Sequence, residues 1–379
     1  MTLRSDTTAE AKEIDEENLI RSIQLNMISG LGPRLRQQLL LHFETPNAIL
    51  AASPYDLQKV PGIGHQLAMS ITHSDYQQQS VDEIRKSRQH SIDLILDQHD
   101  QYPGSLKNIP DPPGVLYCKG KLLKSDALAI AVVGTRHASR YGIDQTQRLV
   151  TSLVQCGFTI VSGLARGIDT AAHAAALEAG GRTIAVLGSG LLHLYPPENK
   201  NLANAISKSG AVLTEARLAS KPTPFCFPQR NRINTGLSLG VVVIEAAMRS
   251  GAMISARHAM EQNRDVFALP GRIDCRTSSG CHHLIRDGAK LVENVDHIIE
   301  ELGPLEAKTI DTKGHQVHHP AELKLNDQER KVLDSISGST TIDEIVQTSN
   351  LPAGRVLATI SVLEMKRLVT RISGTQVSR

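Results

Sequence analysis

From residue 110 to residue 300, short apolar runs end repeatedly in glycine-rich turns, and each turn opens into a stretch with helical spacing. Ala129-Ile-Ala-Val-Val133 has no polar break, as a strand buried on both faces of a sheet requires. Phe158 to Val161, Thr183 to Leu187, Ala211 to Thr214, Val241 to Ile244, Asp265 to Leu269 and Lys290 to Val292 read as further strands. This alternation predicts an α/β domain with a Rossmann-like, doubly wound parallel sheet. Ligands of such sheets sit beyond the carboxyl ends of the strands. Those ends carry Gly134-Thr135-Arg136, Ser162-Gly163-Leu-Ala-Arg166-Gly167 and Gly188-Ser189-Gly190.

The flanking regions have other patterns. Residues 1–17 are polar and read as a leader. Residues 18–100 place apolar side chains three and four apart, as in Leu19, Ile23 and Met27. Two segments there, Ile28-Ser-Gly30-Leu-Gly32-Pro and Val60-Pro61-Gly62-Ile63-Gly64-His65, resemble paired helix-hairpin-helix motifs and predict a SAM-like N-terminal domain. Such hairpins can hold a phosphate on backbone N–H groups. Only Arg34 and Arg36 add charge here, so a domain used for packing or protein contacts is the favoured reading. Residues 101–302 hold the sheet domain. Residues 303–325 lack an apolar period and read as a linker. Residues 326–379 give three helices and a hairpin, with Thr341 and Glu344 as a capping box, and predict a winged helix.

The chain has 379 residues, a formal net charge of +2 and no Trp, and aromatics make up 3%. A polybasic tail is excluded, but a local basic surface is not. No apolar run reaches the ~18 residues of a membrane span. The N-terminus lacks a signal-peptide apolar core, which predicts a cytoplasmic protein with no membrane partner. Five scattered cysteines without a CxxC pair argue against disulfides or a zinc ribbon.

Candidate chemistry centres on anion binding. Walker A and dinucleotide fingerprints are absent. Ser139, Ser162 and Ser189 could each meet a phosphate beside backbone N–H groups, with Arg136 and Arg166 on the first two loops. Arg217 to Lys290 holds eleven Lys/Arg against five Asp/Glu, an excess of six positive charges. Its densest part is Lys221-Pro-Thr-Pro-Phe225-Cys-Phe227-Pro-Gln-Arg230-Asn231-Arg232. Cations track a backbone and rings stack on unpaired bases, so the pattern favours single strands; alternatively, the phenylalanines plug the core. In the winged helix, residues 322–379 hold eight Lys/Arg and seven Asp/Glu, a weak footprint for duplex DNA.

Other constellations read as structural. Ser162, Asp169 and His173 could be drawn as a triad, but no nucleophile elbow accompanies them. Cys275, Cys281, His282 and His283 do not have a usual zinc spacing, so no metal is expected.

The strings VVGTRHASRYG, SGLARGIDTAAH, TIAVLGSGLLHLYPPEN, FPQRNRINTGLS, VVVIEAAMRSGAMISARHAM and DVFALPGRID closely resemble the DNA-processing protein A (DprA/Smf) family. The resemblance spans nearly the whole central domain, in order. It implies a non-enzymatic protein without cofactor that binds single-stranded DNA, protects it and loads RecA in natural transformation or recombination. Carried over by position, Gly134, Arg136, Ser139, Ser162, Gly163, Arg166, Lys221, Phe225, Arg230, Asn231 and Arg232 should form the DNA groove, with Phe225 or Phe227 against a base. The family also forms homodimers through the end of this domain, where Ile285, Arg286 and Leu291 should meet a second copy or RecA. Two alternatives remain. One is a phosphoribohydrolase of the wider superfamily using Glu245, although this chain has Arg249-Ser-Gly251-Ala in place of that group's double-glycine loop. The other is a transcription factor reading duplex DNA through the winged helix.

Overall fold

The computed structural model describes residues 6–305, 308–311 and 314–379, with side chains from Glu16 onward. The N-terminal unit comprises α1 (Asp6–Met27), α2 (Pro33–Phe43), α3 (Pro46–Ala51), α4 (Pro54–Leu57), α5 (His65–Thr72) and α6 (Gln77–Gln89). The stretch expected as a polar leader is thus helical from Asp6; Met1 to Ser5 lie outside the described residues. The hairpins turn at Gly30 (φ +85) and Gly62 (φ +88), at matching points of the two motifs. Leu25, Leu39, Ile49, Leu57 and Ile71 fill the core between them.

Among the described residues, nine strands form one sheet: β1 (Asp93–Leu96), β2 (Val115–Gly120), β3 (Ala129–Val133), β4 (Thr159–Ser162), β5 (Thr183–Val186), β6 (Ala211–Thr214), β7 (Gly240–Val243), β8 (Asp265–Ala268) and β9 (Lys290–Leu291). Their order is β1-β2-β6-β5-β4-β3-β7-β8-β9. From β6 to β9 every pairing is parallel, but β2 runs antiparallel to both β6 and β1. The sheet is therefore mixed, not wholly parallel. β1 lies inside the stretch expected to be helical; a four-residue strand that follows a long helix is too short to show its own period.

Eight helices follow in the sheet domain: α7 (Gly104–Lys107), α8 (Arg140–Gln155), α9 (Ile168–Glu178), α10 (Lys200–Ser209), α11 (Cys226–Gly236), α12 (Gly251–Glu261), α13 (Ser279–Arg286) and α14 (Val295–Glu301). One face of the sheet packs on α8, α9 and α14, the other on α11, α12 and α13. After β6 the chain returns to β7, beside β3, on the other side. The strand order thus reverses between β3 and β7, and a crevice opens beyond their carboxyl ends.

The N-terminal unit is bolted to the sheet domain. Ile23 and Met27 of α1 and Ile84 of α6 pack on Leu96, Val115, Tyr117 and Leu218. Arg36 is buried, and its Nη1 meets Asp97 Oδ2 at 2.7 Å. One of the two cations near the first hairpin is thereby spent on docking. Glu83 Oε1 accepts the Leu218 N–H at 2.7 Å, which anchors the segment leading into Lys221.

The stretch 303–325, expected as a linker, contains the short hairpin β10 (Thr309–Ile310) and β11 (Gln316–Val317) and a 3-10 turn over Pro320–Lys324. Val317 and Ala321 are buried in the same apolar cluster as β3 and α8. The winged helix consists of α15 (Asp327–Asp334), β12 (Ser339–Thr341), α16 (Ile342–Ser349), α17 (Ala353–Met365), β13 (Thr370–Arg371) and β14 (Gln376–Ser378). Thr341 and Glu344 cap α16 reciprocally, as their spacing predicts.

Candidate nucleic-acid interface

A cleft of about 700 Å³ lies at the crevice between β3 and β7. Its walls come from the loops after β3, β4, β5 and β7 and from the start of α11. The N-termini of α9 and α12 also reach it, through Asp169 and through Ser250 and Gly251. Helix N-termini favour anions, because their first N–H groups lack helical partners.

A row of rings and guanidiniums crosses the mouth. Arg136 stands over the Phe227 ring, 5.1 Å from its centroid. Phe227 and Tyr195 are 5.7 Å apart, tilted by 49°. Arg166 stands over Tyr195 at 5.7 Å. Arg166 is also paired with Glu198, which holds the carboxylate below its ordinary range and raises the guanidinium. Arg136 is exposed and has no carboxylate partner among the described residues.

Beneath this row Arg230 is 5% exposed. Its Nη1 donates to the Val186 carbonyl at 2.6 Å. A Cβ at Gly163 would fall on this guanidinium, so the turn after β4 needs glycine there. Gly167 has φ +75 and lies against the Thr135 carbonyl, a second position closed to other residues. Asp169 accepts the Gly163 and Ala165 N–H groups at 3.1 and 3.3 Å. Burial pushes its carboxyl up, against the opposing pull of Arg230 and the two N–H bonds. Burial likewise lowers Arg230 from its ordinary value. Both side chains line the base of the cleft, so the Arg230 charge there is set against the Asp169 carboxylate.

Several expected DNA contacts have other tasks. The Ser139 hydroxyl donates to Glu245 Oε1 at 2.5 Å and caps α8 by accepting the Gly142 N–H at 3.0 Å. Ser162 is buried and donates to the Val132 carbonyl at 2.6 Å. Arg232 is 4% exposed and paired with Asp111 and Glu215 at 2.9 and 2.6 Å; it does not line the cleft. Phe225 is 81% exposed and also lies outside the lining, whereas Phe227 is inside it. Gly134 and Asn231 line the cleft, and Asn231 Nδ2 donates to the Gly251 carbonyl at 3.2 Å. Lys221 is exposed on the approach to α11. Tyr195 escaped sequence reasoning; an aromatic just after the Gly188-Ser-Gly190 turn, in a chain with few rings, was its signal.

The residues considered for catalysis are engaged. Glu245 accepts the Ser139 N–H at 2.9 Å as well as its hydroxyl. His173 Nδ1 pairs with Thr183 Oγ1 at 2.7 Å, away from any triad. Cys281 is buried against β7 carbonyls, His282 bonds the Gly271 carbonyl, and His283 pairs with Asp287. Ile285 is half-buried, while Arg286 and Leu291 are exposed at the β9 edge of the sheet.

His173 has a consequence for stability. Burial, reinforced by Arg230, depresses its pKa to about 3 in the folded protein. The unfolded ring titrates near ~6.5. Below that pH the unfolded chain binds the extra proton, so this contribution to stability is complete above about 6.5 and falls as the pH drops towards 3. The slope from this one group approaches about 1.4 kcal/mol per pH unit. His173→Gln should therefore unfold with a shallower acid dependence than wild type, and run parallel to it above about pH 7. Urea midpoints over a pH series measure this; parallel curves in acid would contradict a neutral, buried His173.

These features describe a three-part protein: helix-hairpin-helix unit, Rossmann-like core with a cleft lined by rings and guanidiniums, and winged helix. Residues 93–303 match the profile of DNA recombination-mediator protein A, residues 316–375 the DprA winged helix domain, and residues 22–72 the SAM-like helix-hairpin-helix tandem. The chain is 34% identical over 385 residues to protein Smf of Synechocystis, covering 93% of this chain and 97% of that one. It is 48% identical over 207 residues to DNA processing protein DprA of Streptococcus pneumoniae, covering 55% and 72%. The X-ray structure of DprA from Streptococcus pneumoniae superposes with a TM-score of 0.67 at 38% identity, over 75% of this chain and 98% of that one. DNA processing protein A from Helicobacter pylori, described for its single-stranded DNA binding mode, gives 0.50 at 31% identity, over 55% and 93%. The chain belongs to the DNA recombination-mediator protein A (DprA/Smf) family.

Proposed function

We propose that this protein binds single-stranded DNA without sequence preference in the cleft between β3 and β7, and delivers the strand to RecA during transformation or recombination. The observation that carries the reading is the row Arg136–Phe227–Tyr195–Arg166 at the cleft mouth. Rings offer stacking to any unpaired base, and guanidiniums neutralise phosphates and stack in turn. A duplex hides its base faces and gains only the charge term. In this reading Lys221 extends the cationic track, and the exposed β9 edge with Leu291 and Arg286 is where a second copy and RecA are met.

The other classes have less support. A hydrolase needs a free base, whereas Glu245 is saturated by Ser139. A duplex reader needs free cations, whereas Lys366, Arg371 and Arg379 of the winged helix are paired with Glu329, Glu364 and Glu322, which leaves Lys331, Arg355 and Arg367 as its exposed cations without a carboxylate partner among the described residues.

Fluorescence anisotropy with labelled oligothymidylate and a duplex of equal length, over a salt series, tests the proposal. The single strand should bind more tightly, with log K falling by ~0.7 per decade of salt for each phosphate neutralised. Equal affinity for both forms would remove the role of the rings.

A further inference from the structure

A second groove, of about 310 Å³, lies directly behind the wall of the main cleft. The wall is the loop after β5. Tyr195 faces the main cleft, while Leu194 and Pro197 of the same loop line the second groove. The floor is apolar, with Leu191, Ala203 and Val212. The rim carries three basic side chains, the half-buried Lys119 from β2 and the exposed His193 from the loop and Lys200 from the start of α10.

Charge decides what fits here. Neither Lys119 nor Lys200 has a carboxylate partner among the described residues, and Lys119 Nζ reaches only Asn204 Oδ1, at 3.5 Å. The one carboxylate of the wall, Glu198, is held by Arg166 on the cleft side. An apolar floor with an uncompensated cationic rim suits an unpaired base with its phosphates, and is continuous with the row that ends at Tyr195 and Arg166.

We propose that this groove is a second segment of the single-strand path: DNA leaving the main cleft crosses the Tyr195–Pro197 wall and lays its next nucleotides on the Lys119–Lys200 rim. The inference rests on the reading above that the main cleft binds single strands. It makes the site longer than the cleft alone, and assigns Lys119 and Lys200 to phosphates that a short strand does not reach.

The double variant Lys119→Ala/Lys200→Ala is the test, because Lys200 is exposed and the Lys119 ammonium reaches the surface, where it contacts only Asn204, so neither charge is part of the core. Binding is measured over a salt series with oligothymidylates of about 5 and about 15 nucleotides, bracketing the site sizes usual for such grooves. The long strand should bind the variant more weakly, with its salt slope reduced by about 1.4, or ~0.7 for each lysine. The short strand should bind variant and wild type alike. An unchanged slope on the long strand overturns the proposal. So does an equal loss on both lengths, which would place the lysines in the main cleft's general field. If wild type binds neither length, the reading of the main cleft itself fails, and this inference with it.

Discussion

Phe227→Ala should weaken single-strand binding by about 1–3 kcal/mol, roughly five- to 150-fold in Kd. The ring is the centre of the row across the cleft mouth, with Arg136 on one side and Tyr195 on the other. Its loss removes a stacking face and the platform on which the Arg136 guanidinium rests. No charge leaves, so the salt slope should match wild type. Arg136→Ala is the complement: it removes a charge without a carboxylate partner, and the slope should fall by ~0.7. Phe225→Ala should lose much less than Phe227→Ala, because Phe225 stands outside the cleft. Anisotropy on the three variants separates the effects. A larger loss at Phe225 than at Phe227 would show that the bases take another route.

Arg230→Ala should lower stability by about 1–3 kcal/mol, the usual cost of leaving a buried polar group without its partner. Asp169, 6% exposed, would lose the nearby positive charge that opposes the upward push of burial on its carboxyl. The Val186 carbonyl would lose its donor as well. Urea midpoints measure the loss. A second substitution keeps the test informative: in Arg230→Met/Asp169→Asn the carboxamide oxygen can still accept the Gly163 and Ala165 N–H groups, and no charge is stranded. The double variant should therefore recover part of the stability. If it is no more stable than Arg230→Ala, packing and not charge pairing is what Arg230 supplies. Gly163→Ala should act in the same direction, since its methyl would displace the guanidinium that bonds the Val186 carbonyl.

Both expectations depend on distinctions that are unevenly visible along the chain. The unbroken run Ala129–Val133 announced a central strand, because burial on both faces leaves no room for a polar residue. Glycines at the strand ends announced tight turns, and the Thr341–Glu344 spacing announced a helix start; these are local constraints, enforced by backbone sterics and near-neighbour hydrogen bonds. The anion-binding edge was legible for the same reason: once strands alternate with helices, their carboxyl ends share one edge.

What each basic or aromatic side chain does at that edge was not local. Arg136, Arg230 and Arg232 all lie in basic stretches near it, yet one is exposed, one lies under the cleft and one is locked between Asp111 and Glu215. Partners far off in sequence made that division. Phe225 and Phe227 are two residues apart, and the first turn of α11 sends only Phe227 into the cleft. The 303–325 stretch lacks an apolar period because few of its side chains are buried, and Val317 and Ala321 find their cover on the core and winged helix. The sequence by itself determined most of the elements of the core, their order and the sheet edge where the cleft opens, because those follow from backbone geometry and the period of burial. Only the tertiary structure decided which cations lack a carboxylate partner and which ring lines the cleft, because desolvation and pairing depend on groups brought together from distant parts of the chain.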